Sequence, residues 1–120
     1  MALETVEDYV AEARTLLQDL IEPYRYTDAE LLSALNMTLL DVRRLRPDLF
    51  LGDGITTTLD EIEQFAAVNA DEVDIEQQFR YAVLFGVCAS ALLRDSEDDT
   101  DQRAGKFLKL FRDKLLTLDI

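Results

Sequence analysis

The sequence predicts an all-α fold, a bundle of about four main helices with a variable acidic middle segment, in a single domain over residues 1–120. Three observations predict it. Only two prolines and four glycines punctuate 120 residues, leaving room for long helices. Apolar residues recur at steps of three and four, the spacing that lines one side of a helix. Thr-x-x-Glu pairs at Thr27–Glu30 and Thr58–Glu61 mark two helix starts, a pattern that caps orphan backbone N–H groups.

The first stripe is Val6, Tyr9, Val10, Ala13, Leu16, Leu17, Leu20 and Ile21, ending before Pro23. The second helix opens at Thr27-Asp-Ala-Glu30 and carries Leu31, Leu32, Leu35, Leu39, Val42 and Leu45. Ala34, Met37 and Leu40 widen that stripe, which predicts neighbours on two sides. Arg46 before Pro47 predicts its end. Residues 48–58 read as a loop turning at Gly52-Asp-Gly54, and Ile55–Thr58 has strand propensity but is too short to found a sheet. Thr58 and Glu61 predict a short acidic helix near 59–68. Asp74 with Gln77 predicts the start of a helix running to about Arg94. Its centre is apolar nearly all round, so it belongs in the middle of the bundle or against another subunit, and small Gly86, Ala89 and Ser90 permit close approach. After an acidic turn at 95–101, Ala104, Phe107, Leu108, Phe111, Leu115 and Leu118 give a last amphipathic helix.

Charge sharpens the reading. The chain holds 25 acidic and 12 basic side chains and no histidine, a formal net charge of −13. The balance opposes a phosphate-facing nucleic-acid patch and an anionic membrane surface. Without histidine there is no His-based acid–base catalysis or His metal ligation. Residues 1–79 carry 18 acidic and 5 basic groups, whereas residues 80–120 carry 7 of each. No Lys or Arg stands between Asp48 and Glu76, and all three lysines (Lys106, Lys109, Lys114) fall in the last helix. The N-terminus lacks the basic and apolar regions of a signal peptide, and the charge-free run Tyr81–Leu93 is too short to span a bilayer.

The chemical inventory is thin. An EF-hand loop starting at Asp95 would want Gly at 100 and Glu at 106, where the chain has Thr100 and Lys106. Cys88 sits in the apolar helix with no activating partner and reads as structural. Gly52 and Gly54 are not followed by the Lys-Ser/Thr of a phosphate loop. No cofactor is expected, and assembly or binding is favoured over catalysis.

Two stretches carry a family resemblance. One is Tyr26-Thr27-Asp28-Ala29-Glu30-Leu31-Leu32, continuing through Ala34-Leu35-Asn36 to Leu45-Arg46-Pro47-Asp48-Leu49-Phe50. The other runs from Phe79-Arg80-Tyr81-Ala82 through Ala91-Leu92-Leu93 and an acidic turn to Arg103-Ala104 and Phe107–Leu115. Their order resembles the head–tail connector or adaptor (head-completion) proteins of tailed bacteriophages, over about three-quarters of the chain with the first helix included.

The resemblance implies a helical bundle that assembles as a homo-oligomeric ring, commonly of twelve copies, beneath the portal protein. Such a ring completes the head, offers a platform to a tail or tail-tube (nozzle) protein, and lets DNA pass without binding it. It further implies a virion component assembled in the host cytoplasm, with no membrane partner, and often a β-hairpin or long loop where this chain has its acidic residues 48–74. On that reading Asp53, Asp60, Glu61, Glu63, Asp71 and Glu72 are candidates for the channel lining. Phe111, Leu115, Leu116 and Ile120 are candidates for portal docking, and Arg43, Arg44, Arg46, Lys106 and Lys109 for the subunit interface. A ring needs two different patches that meet head to tail, which an uneven charge distribution supplies. Two alternatives stand beside it: an acidic DNA mimic that inhibits a basic nucleic-acid enzyme, and a small acidic regulatory subunit of an enzyme.

Overall fold

The computed structural model of the chain describes residues 3–22, 24–50, 64–73, 75–94 and 100–116. It is an all-α bundle: α1 (Val6–Leu17), α2 (Asp28–Leu45), α3 (Arg80–Leu93) and α4 (Thr100–Leu116), with 3-10 turns at Pro47–Phe50 and Gln77–Phe79. The described residues contain no strand, only an isolated antiparallel bridge between Thr5 and Glu72.

The start of α1 accounts for every N–H that the helix leaves unpaired. Val6 donates to the Asp71 carbonyl and Glu7 to the Asn69 carbonyl, each at 3.0 Å. The Asp8 N–H reaches the Thr5 hydroxyl, while the Asp8 carboxylate accepts from the Thr5 N–H at 3.0 Å and the Glu4 N–H at 3.1 Å. These two backbone donors hold the Asp8 carboxyl below its ordinary pKa. Thr5-Val-Glu-Asp8 is thus a capping box, with Asp in the usual place of Glu, and it also anchors residues 69–73 to the bundle.

Helix α1 stops earlier than the apolar spacing predicts. Gln18 adopts a left-handed conformation at φ 60°, and the Asp19 N–H turns back to the Arg14 carbonyl. Leu20 and Ile21 therefore leave the stripe and stand 62% and 84% exposed. A non-glycine residue is strained in that conformation. Gln18→Gly is expected to raise the unfolding free energy by about 0.5 kcal/mol, net of the greater chain freedom glycine brings to the unfolded state. A urea titration showing a loss instead would contradict this account of the helix end.

At α2 the Thr27 hydroxyl accepts the Glu30 N–H at 3.1 Å, and the Glu30 carboxylate returns to that hydroxyl at 3.3 Å rather than to the Thr27 N–H. Helix α2 ends as expected, at Leu45 ahead of Arg46-Pro47. Its buried residues are Leu31, Ala34, Leu35, Thr38, Leu39 and Val42. Helix α2 has neighbours on two sides, α1 and α3, as its widened stripe predicts; Ala34 is buried, but Met37 and Leu40 are about half exposed (48% and 47%).

The short helix expected near 59–68 is not present in its described part. Residues 64–68 are irregular because the Asn36 side chain takes both backbone groups of Phe65, each at 2.9 Å, and so replaces a helical partner. Residues 59–63, the Thr58–Glu61 cap and Ile55–Thr58 lie outside the described residues. Helix α3 begins at Arg80 rather than near Asp74. Val73 and Ile75 turn into the core, and the 3-10 turn at Gln77–Phe79 precedes the helix. Asp74 itself lies outside the described residues.

Helix α3 packs against α1, α2 and α4, the central position that its all-round apolarity predicts. At Gly86 the side chains of α2 and α4 leave no room for a Cβ. A Cβ there would sit 2.5 Å from Thr38 Cγ2 and 2.9 Å from Phe111 Cδ1. Ala104, Phe111 and Leu115 bring the inner side of α4 into the same core.

Candidate functional site

The residues capable of chemistry are first a matter of exclusion. Cys88 is fully buried, and desolvation pushes its thiol up to about 12, so it is a neutral packing group at physiological pH. Among the described residues no cluster of three or more Cys, Asp and Glu could hold a metal ion, and no helix is long and apolar enough to cross a membrane. A shallow open depression lined by Glu76, Gln77 and Gln78 offers a carboxylate and amides but no nucleophile. Tyr9 is fully buried, its hydroxyl has no hydrogen-bond partner among the described residues, and its pKa is raised by desolvation. Tyr9→Phe is expected to leave stability unchanged or raise it by up to about 1 kcal/mol, because it removes an unpaired group. A clear loss in a denaturant titration would show that the hydroxyl has a partner.

The sequence-derived candidates divide by location. Asp53, Asp60, Glu61, Glu63 and Ile120 lie outside the described residues. Asp71 and Glu72 are exposed, and the hydrogen bonds between residues 69–73 and the start of α1 bring them beside exposed Glu4 and Glu7. That edge carries four carboxylates and no ion pair among the described residues. The expectation of portal docking needs correction at Phe111 and Leu115. They are 4% and 0% exposed, because the apolar stripe of α4 is turned inward onto α3; of the described docking candidates only Leu116 (47%) faces solvent.

Arg46 is likewise no free interface cation. Its Nε and Nη2 grip the Asp48 carboxylate at 3.0 and 2.9 Å, and Nη1 donates to the Leu115 carbonyl at 2.6 Å. Its guanidinium carbon lies 5.1 Å from the centre of the Phe79 ring. The Arg-Pro-Asp element thus ties the end of α2 to the last turn of α4, where carbonyls lack helical partners, and to the entry into α3. Arg44 is exposed and only loosely paired with Asp41 at 3.7 Å, a contact of little energetic weight. Arg43 is half-buried and engaged within the chain.

The Arg46 bond holds the Asp48 carboxyl below its ordinary pKa. A depressed carboxyl adds stability above its unfolded pKa, about 3.9, and loses it as pH falls through the lower folded value. Asp48→Asn is therefore expected to lower stability near pH 6 and to converge with the parent chain well below pH 4. Parallel urea titrations across that range check the sign, and a gap that stays constant with pH would contradict it.

Lys106 and Lys109 are exposed on α4, together with Arg112 and Lys114. They form no salt bridge among the described residues. Among them stand Asp113 and the exposed Leu110 (39%) and Leu116, so the outer face of α4 is net basic with one carboxylate and two apolar side chains.

Sequence reasoning missed the polar knot beneath the α1–α2 connection. Arg14, 7% exposed, bonds Asp19 Oδ2 at 3.1 Å, the Tyr26 carbonyl at 2.6 Å and Asp28 Oδ1 at 2.5 Å, and its guanidinium lies 4.0 Å from the centre of the Tyr24 ring. Asp19 completes the knot by accepting the N–H groups of Arg25 and Tyr26 at 2.8 and 2.9 Å. The available signal was a charge at position 14, beside Ala13 in the apolar stripe. The knot holds a tip on which Leu20, Ile21 and Tyr24 remain exposed.

No family model, curated protein or solved structure matches the chain.

Proposed function

We propose that this chain is a structural virion protein, a head–tail connector of tailed-bacteriophage type that forms a ring, of about twelve copies as is common in that family, beneath the portal. In that place it would close the filled head and receive the tail. The observation that carries the reading is the segregation of unpaired charge. Carboxylates gather at the edge formed by Glu4, Glu7, Asp71 and Glu72, while every lysine lies on α4. Two unlike faces on one chain suit a head-to-tail interface. The residues behind the resemblance also occupy joints of the bundle: Thr27 caps α2, Asn36 holds Phe65, and Arg46 with Asp48 joins α2 to α4.

In this reading Asp53, Asp60, Glu61 and Glu63 line the DNA path and repel phosphate, whereas Asp71 and Glu72, expected beside them, belong to the edge at the start of α1. Co-sedimentation with portal protein tests the reading: the chain is expected in the portal fraction, and a chain left wholly in the supernatant would contradict it. The channel role has its own test. Neutralising Asp53, Asp60, Glu61 and Glu63 should leave assembly intact but retard DNA release, and normal release would exclude the lining role.

A further inference from the structure

We infer that the outer face of α4 docks onto the α1 N-terminal edge of a second copy of this chain; the inference rests on the ring reading and names its two contact faces. Carboxylates outnumber cations about two to one in the chain, yet Lys106, Lys109, Arg112 and Lys114 find no carboxylate partner among the described residues. The fold instead projects them to solvent: Lys106 and Lys109 lie opposite Ala104, Phe111 and Leu115 with exposed Asp113 between them, and Arg112 and Lys114 lie on the flanks, so the face keeps a net positive charge. Leu110 and Leu116 stand exposed among them.

The complement is on the same molecule but on a different element. Glu4 and Glu7 at the start of α1 and Asp71 and Glu72 on the strap beside it are exposed and equally unpaired among the described residues. In the described part of the chain α4 meets α1 at its far end, where Arg103 donates to the Leu16 carbonyl at 3.1 Å. The basic face and the acidic edge thus remain available to neighbours, and their unlike charges favour a heterologous contact that repeats around a ring. Nucleic acid is the less suitable occupant of the α4 face, because a chain of charge −13 repels phosphate as a whole.

The test uses two full-length variants with all substitutions at exposed positions: Lys106→Glu, Lys109→Glu, Arg112→Glu and Lys114→Glu in one, and Glu4→Lys, Glu7→Lys, Asp71→Lys and Glu72→Lys in the other. Each alone opposes like charges at every contact and is expected to weaken self-association about tenfold or more. Their equimolar mixture restores opposite charges at every contact of an alternating ring and is expected to recover assembly. Association is read by sedimentation velocity at low salt, and copy number by the mass of complexes formed on portal protein. The inference is overturned if either variant alone assembles like the parent chain, or if the mixture fails to recover. It is also overturned if the parent chain stays monomeric and the α4 face retains duplex DNA instead. Parent chain that fails to bind portal, with the mixture still associating in solution, would remove the connector reading and leave this contact standing.

Discussion

Replacing Arg14 by alanine is expected to cost about 3–5 kcal/mol of unfolding free energy, the usual consequence of stripping a buried charge of its partner. Asp19, 7% exposed, would keep two backbone N–H donors but lose its counter-ion, and the Tyr26 carbonyl would lose its donor. Domains are commonly stable by only about 5–15 kcal/mol, so much of the margin would go. Equilibrium urea unfolding measures it. A loss below about 1 kcal/mol would mean that the knot is dispensable and that another feature sets the α1–α2 connection.

The second large effect is expected at Gly86. Alanine has the better helix propensity by about 1 kcal/mol, yet its Cβ would overlap Thr38 Cγ2 and Phe111 Cδ1. Thr38 cannot simply rotate away, because its hydroxyl donates to the Ala34 carbonyl at 2.8 Å. Gly86→Ala is therefore expected to destabilise by about 1–3 kcal/mol net. Thr38→Ser removes the methyl group that clashes and keeps the hydroxyl, so in the Gly86→Ala background it should recover part of the loss. Additive losses in the double variant would place the strain elsewhere.

These two sites also show what the sequence could and could not reveal. Gly86 was legible as a small residue in a central helix, because all-round apolarity and small side chains are local properties. The ends of α2 were legible for the same reason: a Thr cap and an X-Pro step act within a few residues. The end of α1 was not, since Asp19 turns the chain by accepting N–H groups from Arg25 and Tyr26, six and seven positions away. Nor was the irregular course of 64–68, where a side chain 29 positions earlier in sequence satisfies Phe65. Periodicity marked Phe111 and Leu115 as one apolar stripe, but a stripe does not say whether its neighbour is α3 or another protein. The core now claims both, so truncation after Lys109 would remove part of the bundle itself and could not isolate a docking role. In the candidate interface, spacing identified Lys106 and Lys109 as basic positions. It could not show that Arg46 is consumed by Asp48 and the end of α4, which meet it only in the folded chain.

The central claim is that the chain works as one member of a ring on a portal. Electron microscopy of the purified chain mixed with portal protein, combined with the mass of the complex, tests it most directly. The account predicts an added ring of uniform copy number coaxial with the portal, with an open central channel. Portal particles of unchanged mass and shape, with the chain recovered separately as a monomer, would contradict it.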